Sequence, residues 1–141
     1  SDEVSKEDQE FMILESRFLE KPAFAVEQGR NAARHIERDS RKALDISLGL
    51  LRNYEEEQAE RVQKIETKVD RYEDELGTYL VKLNNKDLSE KDSHSVSIML
   101  HCIGDFERIS DHAVNIMESA RELHEKNLSL SLHMTYSTSR I

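Results

Sequence analysis

The chain has 141 residues and a formal net charge of −9, with 35% charged residues, four Gly, one Pro and no Trp. That length suits one domain with its own core, and the composition is that of long helices. The acidity excludes a nucleic-acid binder, which needs a basic face to displace counterions, and it excludes broad adhesion to anionic lipid.

In chain order, "SDEVSKEDQE" is a polar lead, and "FMILESRFLEK" is a short apolar piece that stops before Pro22. Residues 1–21 therefore read as a lead or linker. Proline suits the first turn of a helix, where its missing N–H is not needed. A first helix is predicted from about Pro22 to Leu51, with Val26, Ala33, Ile36, Ala43, Leu44, Leu48 and Leu51 on its apolar face. Asn53 followed by Glu56 resembles a capping box opening a second helix that runs to about Leu83. Its apolar positions, Val62, Ile65, Val69, Tyr72, Leu76, Tyr79 and Leu83, recur three and four apart without a break, which is a helix-packing seam. "NNKDLSEKDS" is a loop. A third helix follows from about Ser93 to Lys126, carrying Val96, Met99, Leu100, Ile103, Phe106, Ile109, Ala113, Ile116 and Ala120. The expected fold is all-α: an antiparallel up-down-up three-helix bundle over residues 22–127. The tail, residues 128–141, loses the helical pattern and has no assigned structure.

Cys102 is alone, so no internal disulfide forms, which fits a reducing compartment. No apolar run reaches the roughly 20 residues of a bilayer span. An opening Ser1 in place of Met is expected of a piece cut from a longer protein.

The chemistry concentrates on acids. In "HCIGDFERISDHAVNI", residues 101–116, Glu107 falls inside the apolar stripe and Asp111 at its edge. If the loop midpoint lies between Leu88 and Ser89, Asp70 stands level with Glu107, Glu66 level with Asp111, and Glu73 beside Gly104. "ETKVD" and "ERISD" then face one another, since a spacing of four puts both acids of each pair on one helix face. Carboxylates gathered without a counter-charge repel and push one another's pKa up. A multivalent cation is the simplest remedy, and oxygen donors suit Mg, Mn or iron. The competing reading leaves these acids on the surface, paired with Lys64, Lys68, Arg71 and Arg108.

"ERISDHAVNI" resembles the ERIGDHA-x-NI signature of the PhoU family, and "ETKVDRYEDEL" resembles that family's other E(D)-x-x-x-D helix. "LESRFLEKPAFAVEQG" is similar to the segment that follows the membrane part of bacterial Na+/phosphate cotransporters, so the likeness covers residues 13–126. The resemblance implies a PhoU-like three-helix repeat acting as a metal-binding regulator of phosphate uptake, not an enzyme. It implies a multinuclear cluster, iron before Zn, Mn or Mg, held by Glu66, Asp70, Glu107 and Asp111. Glu73 and Asp74 are possible additions to that set, and His112 stands at its edge. It also places the domain in the cytoplasm, at the inner face of the membrane, tied to a transporter part of the same parent chain. Regulators of this family that work alone usually carry two repeats. The single repeat here leads to an expected homo-oligomer.

Other groupings carry less. His101, Asp105, Arg108 and His112 share a helical face that reads as solvated surface. His35 and Asp39 read as a rim position, and Cys102 as a packing residue. A helical interaction or dimerisation module without metal remains the alternative function. A di-iron carboxylate enzyme is excluded because no histidine has a Glu three residues before it.

Overall fold

The computed structural model describes Phe11 and residues 14–139. After a 3-10 turn at Ser16–Glu20 come three helices, α1 at Pro22–Arg52, α2 at Glu56–Asn84 and α3 at Glu90–Ser139. They form the expected up-down-up bundle, with no strand among the described residues.

Pro22 opens α1, and the Lys21 carbonyl accepts the Ala25 N–H at 2.9 Å. The buried face of α1 is made largely of small residues: Ala25, Gly29, Ala32, Ser40, Ala43 and Ser47. Short side chains let helices approach closely, and α1 makes its most extensive contact with α3. At Gly29 the approach is tightest, because a Cβ there would meet Leu80 Cδ2 at 3.3 Å and Met99 Cε at 3.7 Å. On α2, the predicted seam is the buried one: Val62, Val69, Tyr72, Leu76, Tyr79 and Leu83 face inward. Tyr79 donates its hydroxyl to the Ala25 carbonyl at 2.9 Å, tying α2 to the first turn of α1. Burial pushes that phenol up to about 12, so it stays a donor at any physiological pH.

Two apolar clusters fill the bundle. One gathers Ile36, Val69, Tyr72, Leu76 and Ile103, and the other gathers Ala43, Leu50, Val62, Ala113 and Met117. Between them in sequence lie Ser40 and Ser110, both buried, with hydroxyls that have no hydrogen-bond partner among the described residues. This junction sits on the same stretch of α3 as the acids of interest.

Several boundaries differ from expectation. There is no capping box at Asn53. That residue closes α1 through its N–H to the Gly49 carbonyl, and its amide donates to Glu55 Oε1 at 3.1 Å. Glu55, extended and without a side-chain cap, precedes α2. The third helix starts earlier than Ser93 because Ser89 caps it, its hydroxyl accepting the Asp92 N–H at 3.1 Å. Of the lead, residues 1–10 lie outside the described residues, but Phe11 and Leu19 are buried on the bundle. The Phe11 ring packs 4.3 Å from that of Tyr72, under the Arg71 guanidinium. The tail is helical: α3 continues through Lys126 to Ser139, exposed from Glu125 to Ser137.

Two substitutions test this account of the helices. Ser89→Ala should cost about 1 kcal/mol by removing the α3 cap. Gly104→Ala should add about 0.5–1 kcal/mol, since a Cβ there meets nothing within 4 Å and alanine is the better helix former. Urea denaturation with unchanged m-values checks both.

Candidate metal centre

The acids reach one place because of where their helices bury their neighbours. On α2, Val69 and Tyr72 point inward and hold Glu66, Asp70 and Glu73 at the margin of the seam. On α3, the buried residues Ile103 and Ser110 do the same for Glu107 and Asp111. Glu66, Glu73, Glu107 and Asp111 are half-buried, and Asp70 is exposed.

Asp70, Glu73 and Glu107 each offer a carboxylate oxygen within 4.8 Å of the other two. Glu107 also shares a carboxyl–carboxylate hydrogen bond with Asp111, one turn along α3. Glu66 lies near enough to Asp111 and Asp70 to feel both charges, and Gln63 Nε2 donates to its Oε2 at 3.0 Å. Burial first, then the Asp111 hydrogen bond and the charges of Asp111, Glu73 and Asp70, push the Glu107 carboxyl up to about 7. Burial and neighbouring acids also raise Glu66 and Glu73. No lysine or arginine is among the charges acting on these three groups.

Three of the four cations that the surface-charge reading assigned to these acids have other contacts. Arg108 pairs with Asp105, and the Lys68 ammonium lies 3.8 Å from Asp39. Arg71 covers the Phe11 ring.

Glu73, an addition to the sequence-derived set, belongs to the tight group of three, while Glu66 and Asp111 flank it. Asp74 is exposed and acts on Glu73 only through its charge. His112 is exposed and outside that group. His35 stacks on Tyr72 at 6.0 Å and Asp39 pairs with Lys68, so α1 adds no ligand to the group. Sequence reading missed a second polar cluster at the far end of the bundle. There Arg121 donates to the Tyr54 hydroxyl and to Glu56, both at 2.9 Å, and His124 stacks on Tyr54. It clamps the α1–α2 connection onto α3, and residues 54 and 121 share no local motif that would reveal it.

The donor set fits a hard, multivalent cation. Ion–oxygen bonds of about 2.0–2.6 Å let two ligands of one ion stand up to roughly 4–5 Å apart, which is the spread of the three oxygens. All three donors are carboxylates, as Mg, Mn or iron prefer. Neither histidine nor cysteine joins them.

The sequence model of the PhoU domain family matches residues 33–120, a span that contains α2 and all five acids. No curated protein and no solved structure matches the chain.

The raised Glu107 pKa fixes the pH dependence of the metal-free protein. Between about 4.5 and 7 the folded state keeps a proton that the unfolded chain has released. Stability therefore falls as pH rises through that window and levels off above it. Glu66 and Glu73 add to the trend. Denaturant melts with chelator from pH 5 to 8.5 should show this slope in the wild type and a much flatter one in Glu107→Gln. Equal slopes would contradict the clustered geometry.

Proposed function

The chain belongs to the PhoU domain family, and from that premise we propose that it is a metal-binding regulatory domain of a Na+/phosphate cotransporter protein, acting on phosphate uptake. Membership supports a regulatory role in phosphate homeostasis for a helical domain. The observation that carries the metal reading is the convergence of Asp70, Glu73 and Glu107, with neighbouring acids as the charges acting on Glu73 and Glu107.

In this reading Asp70, Glu73 and Glu107 hold the first ion. Asp111 and Glu66 extend the ligand set toward a second, and Asp74 and His112 stand at its rim. Iron is the preferred metal, with Mn, Mg or Zn as alternatives. The metal supplies the positive charge that lets α2 and α3 close on one another. The chain's own part is to keep these carboxylates level across two antiparallel helices, so that occupancy reports on helix packing. The lead around Phe11 to Lys21 then tethers the bundle to a membrane part of the parent chain, on the cytoplasmic side. No helix among the described residues is long and apolar enough to cross a membrane.

Thermal melting of chelated and metal-loaded protein tests this. Binding raises wild-type stability by about 2.7 kcal/mol at a hundred times the dissociation constant. Asp70→Asn and Glu107→Gln should each lose most of that gain while melting at or above the wild type in chelator. A wild type indifferent to iron, manganese, zinc and magnesium would leave the helical interaction module as the better reading.

A further inference from the structure

One face of α2 is unlike the rest of this acidic chain. Arg61, Lys64, Lys68 and Arg71 follow at steps of three, four and three, which sets them in one stripe along the helix. Glu66, Asp70 and Glu73 lie on the opposite side of the same turns. Arg61 and Lys64 are exposed, and neither makes an ion pair among the described residues, although Glu57 and Glu60 stand four residues before them. Lys68 and Arg71 are half-buried: the Lys68 ammonium lies 3.8 Å from Asp39, and the Arg71 guanidinium covers the Phe11 ring. A shallow cavity of about 410 Å³ opens along the stripe, lined by Gln63, Lys64, Thr67 and Lys68.

The lead heads toward this stripe. Tyr79, near the end of α2, is bonded to Ala25, so the lead joins α1 at that end of the bundle. Phe11 is already further along, its ring 4.3 Å from that of Tyr72 and 4.1 Å from the Arg71 guanidinium. From Lys21 back to Phe11 the chain has therefore travelled along α2 toward the start of that helix. The same heading leads next to Lys68, Lys64 and Arg61.

We propose that this basic stripe is the docking surface for the acidic stretch at residues 1–10, "SDEVSKEDQE", which lies outside the described residues. This proposal is independent of the metal reading.

Charge, reach and direction select this occupant. The stretch carries Asp2, Glu3, Glu7, Asp8 and Glu10 against a single Lys6. Arg71 to Arg61 spans about 15 Å at 1.5 Å per helical residue, and ten residues of extended chain reach about 33 Å. Phe11 anchors the end of the stretch beside Arg71, so its carboxylates act at a high effective concentration that a free acidic partner lacks. In the other direction the same face of α2 carries Glu75, which repels them. Each exposed pair is weak alone, so docking needs several together and is screened by salt.

Carbodiimide coupling tests the contact on an equal mixture of unlabelled and isotopically labelled full chain, since it joins lysine to carboxylate only where the two touch. The expected products join Lys64 or Lys68 to Asp2, Glu3, Glu7 or Asp8 within one chain. Lys82, exposed on the same face of α2 but beyond Glu75, should couple far less. Products joining labelled to unlabelled chains would assign the stripe to a second copy. Products without residues 1–10 would leave it to a separate acidic partner. Either result overturns the proposal. A second readout is cleavage after Glu3 and Glu7 by a glutamate-specific protease, measured relative to a free peptide of the same ten residues. The double variant Arg61→Glu, Lys64→Glu should be cut on the order of fivefold faster, as expected from the loss of a few weak pairs. Raised salt should quicken the wild type likewise. Unaltered thermal melting shows that the bundle of the variant is intact. Cleavage indifferent to both changes overturns the proposal.

Discussion

Repulsion among half-buried carboxylates is the constraint around which this bundle is arranged. Two antiparallel helices bring Asp70, Glu73 and Glu107 within 4.8 Å of one another, with Glu66 and Asp111 beside them, and each step that improves helix packing also brings the charges closer. In water the cost would be small, but partial burial weakens screening. The protein's own response is visible in Glu107, which keeps a proton shared with Asp111 up to about pH 7. A proton neutralises one charge. A multivalent ion would neutralise several and satisfy their lone pairs as well, so that binding would favour helix closure.

The remainder of the fold holds these acids in place. Small residues on α1 draw it close to α3, and the Tyr79–Ala25 hydrogen bond fixes α2 against the start of α1. The Arg121–Tyr54–Glu56 cluster secures the opposite end. With both ends fixed and apolar clusters to either side, the acids have little room to separate by fraying. The middle of the bundle, where Ser40 and Ser110 leave hydroxyls unpartnered among the described residues, lies on the stretch of α3 that carries Glu107 and Asp111.

Much of this was legible in the sequence, for definite reasons. The α2 seam and the facing of Asp70 with Glu107 follow from helical periodicity and one loop midpoint, and both appear in the structure. What escaped depended on competition between local signals. Asn53 with Glu56 looks like a cap, but closing α1 claims Asn53 first. Ser89 reads as loop in "NNKDLSEKDS", although its hydroxyl caps α3. In the tail, Leu128, Leu130, Leu132, Met134 and Tyr136 alternate with polar residues. That period of two conceals the helix by spreading apolar side chains over two opposite faces. Glu73 entered only as an addition because it lies outside the E-x-x-x-D spacing, yet at three residues from Asp70 it still shares that helix face.

The most direct test of the central claim is an anomalous difference map from crystals of the full chain grown with iron or manganese. The account predicts a peak between α2 and α3, within about 2.0–2.6 Å of oxygens of Asp70, Glu73 and Glu107, with any second peak toward Asp111 and Glu66. A map with no peak there, or with metal only on isolated exposed acids elsewhere, would contradict it.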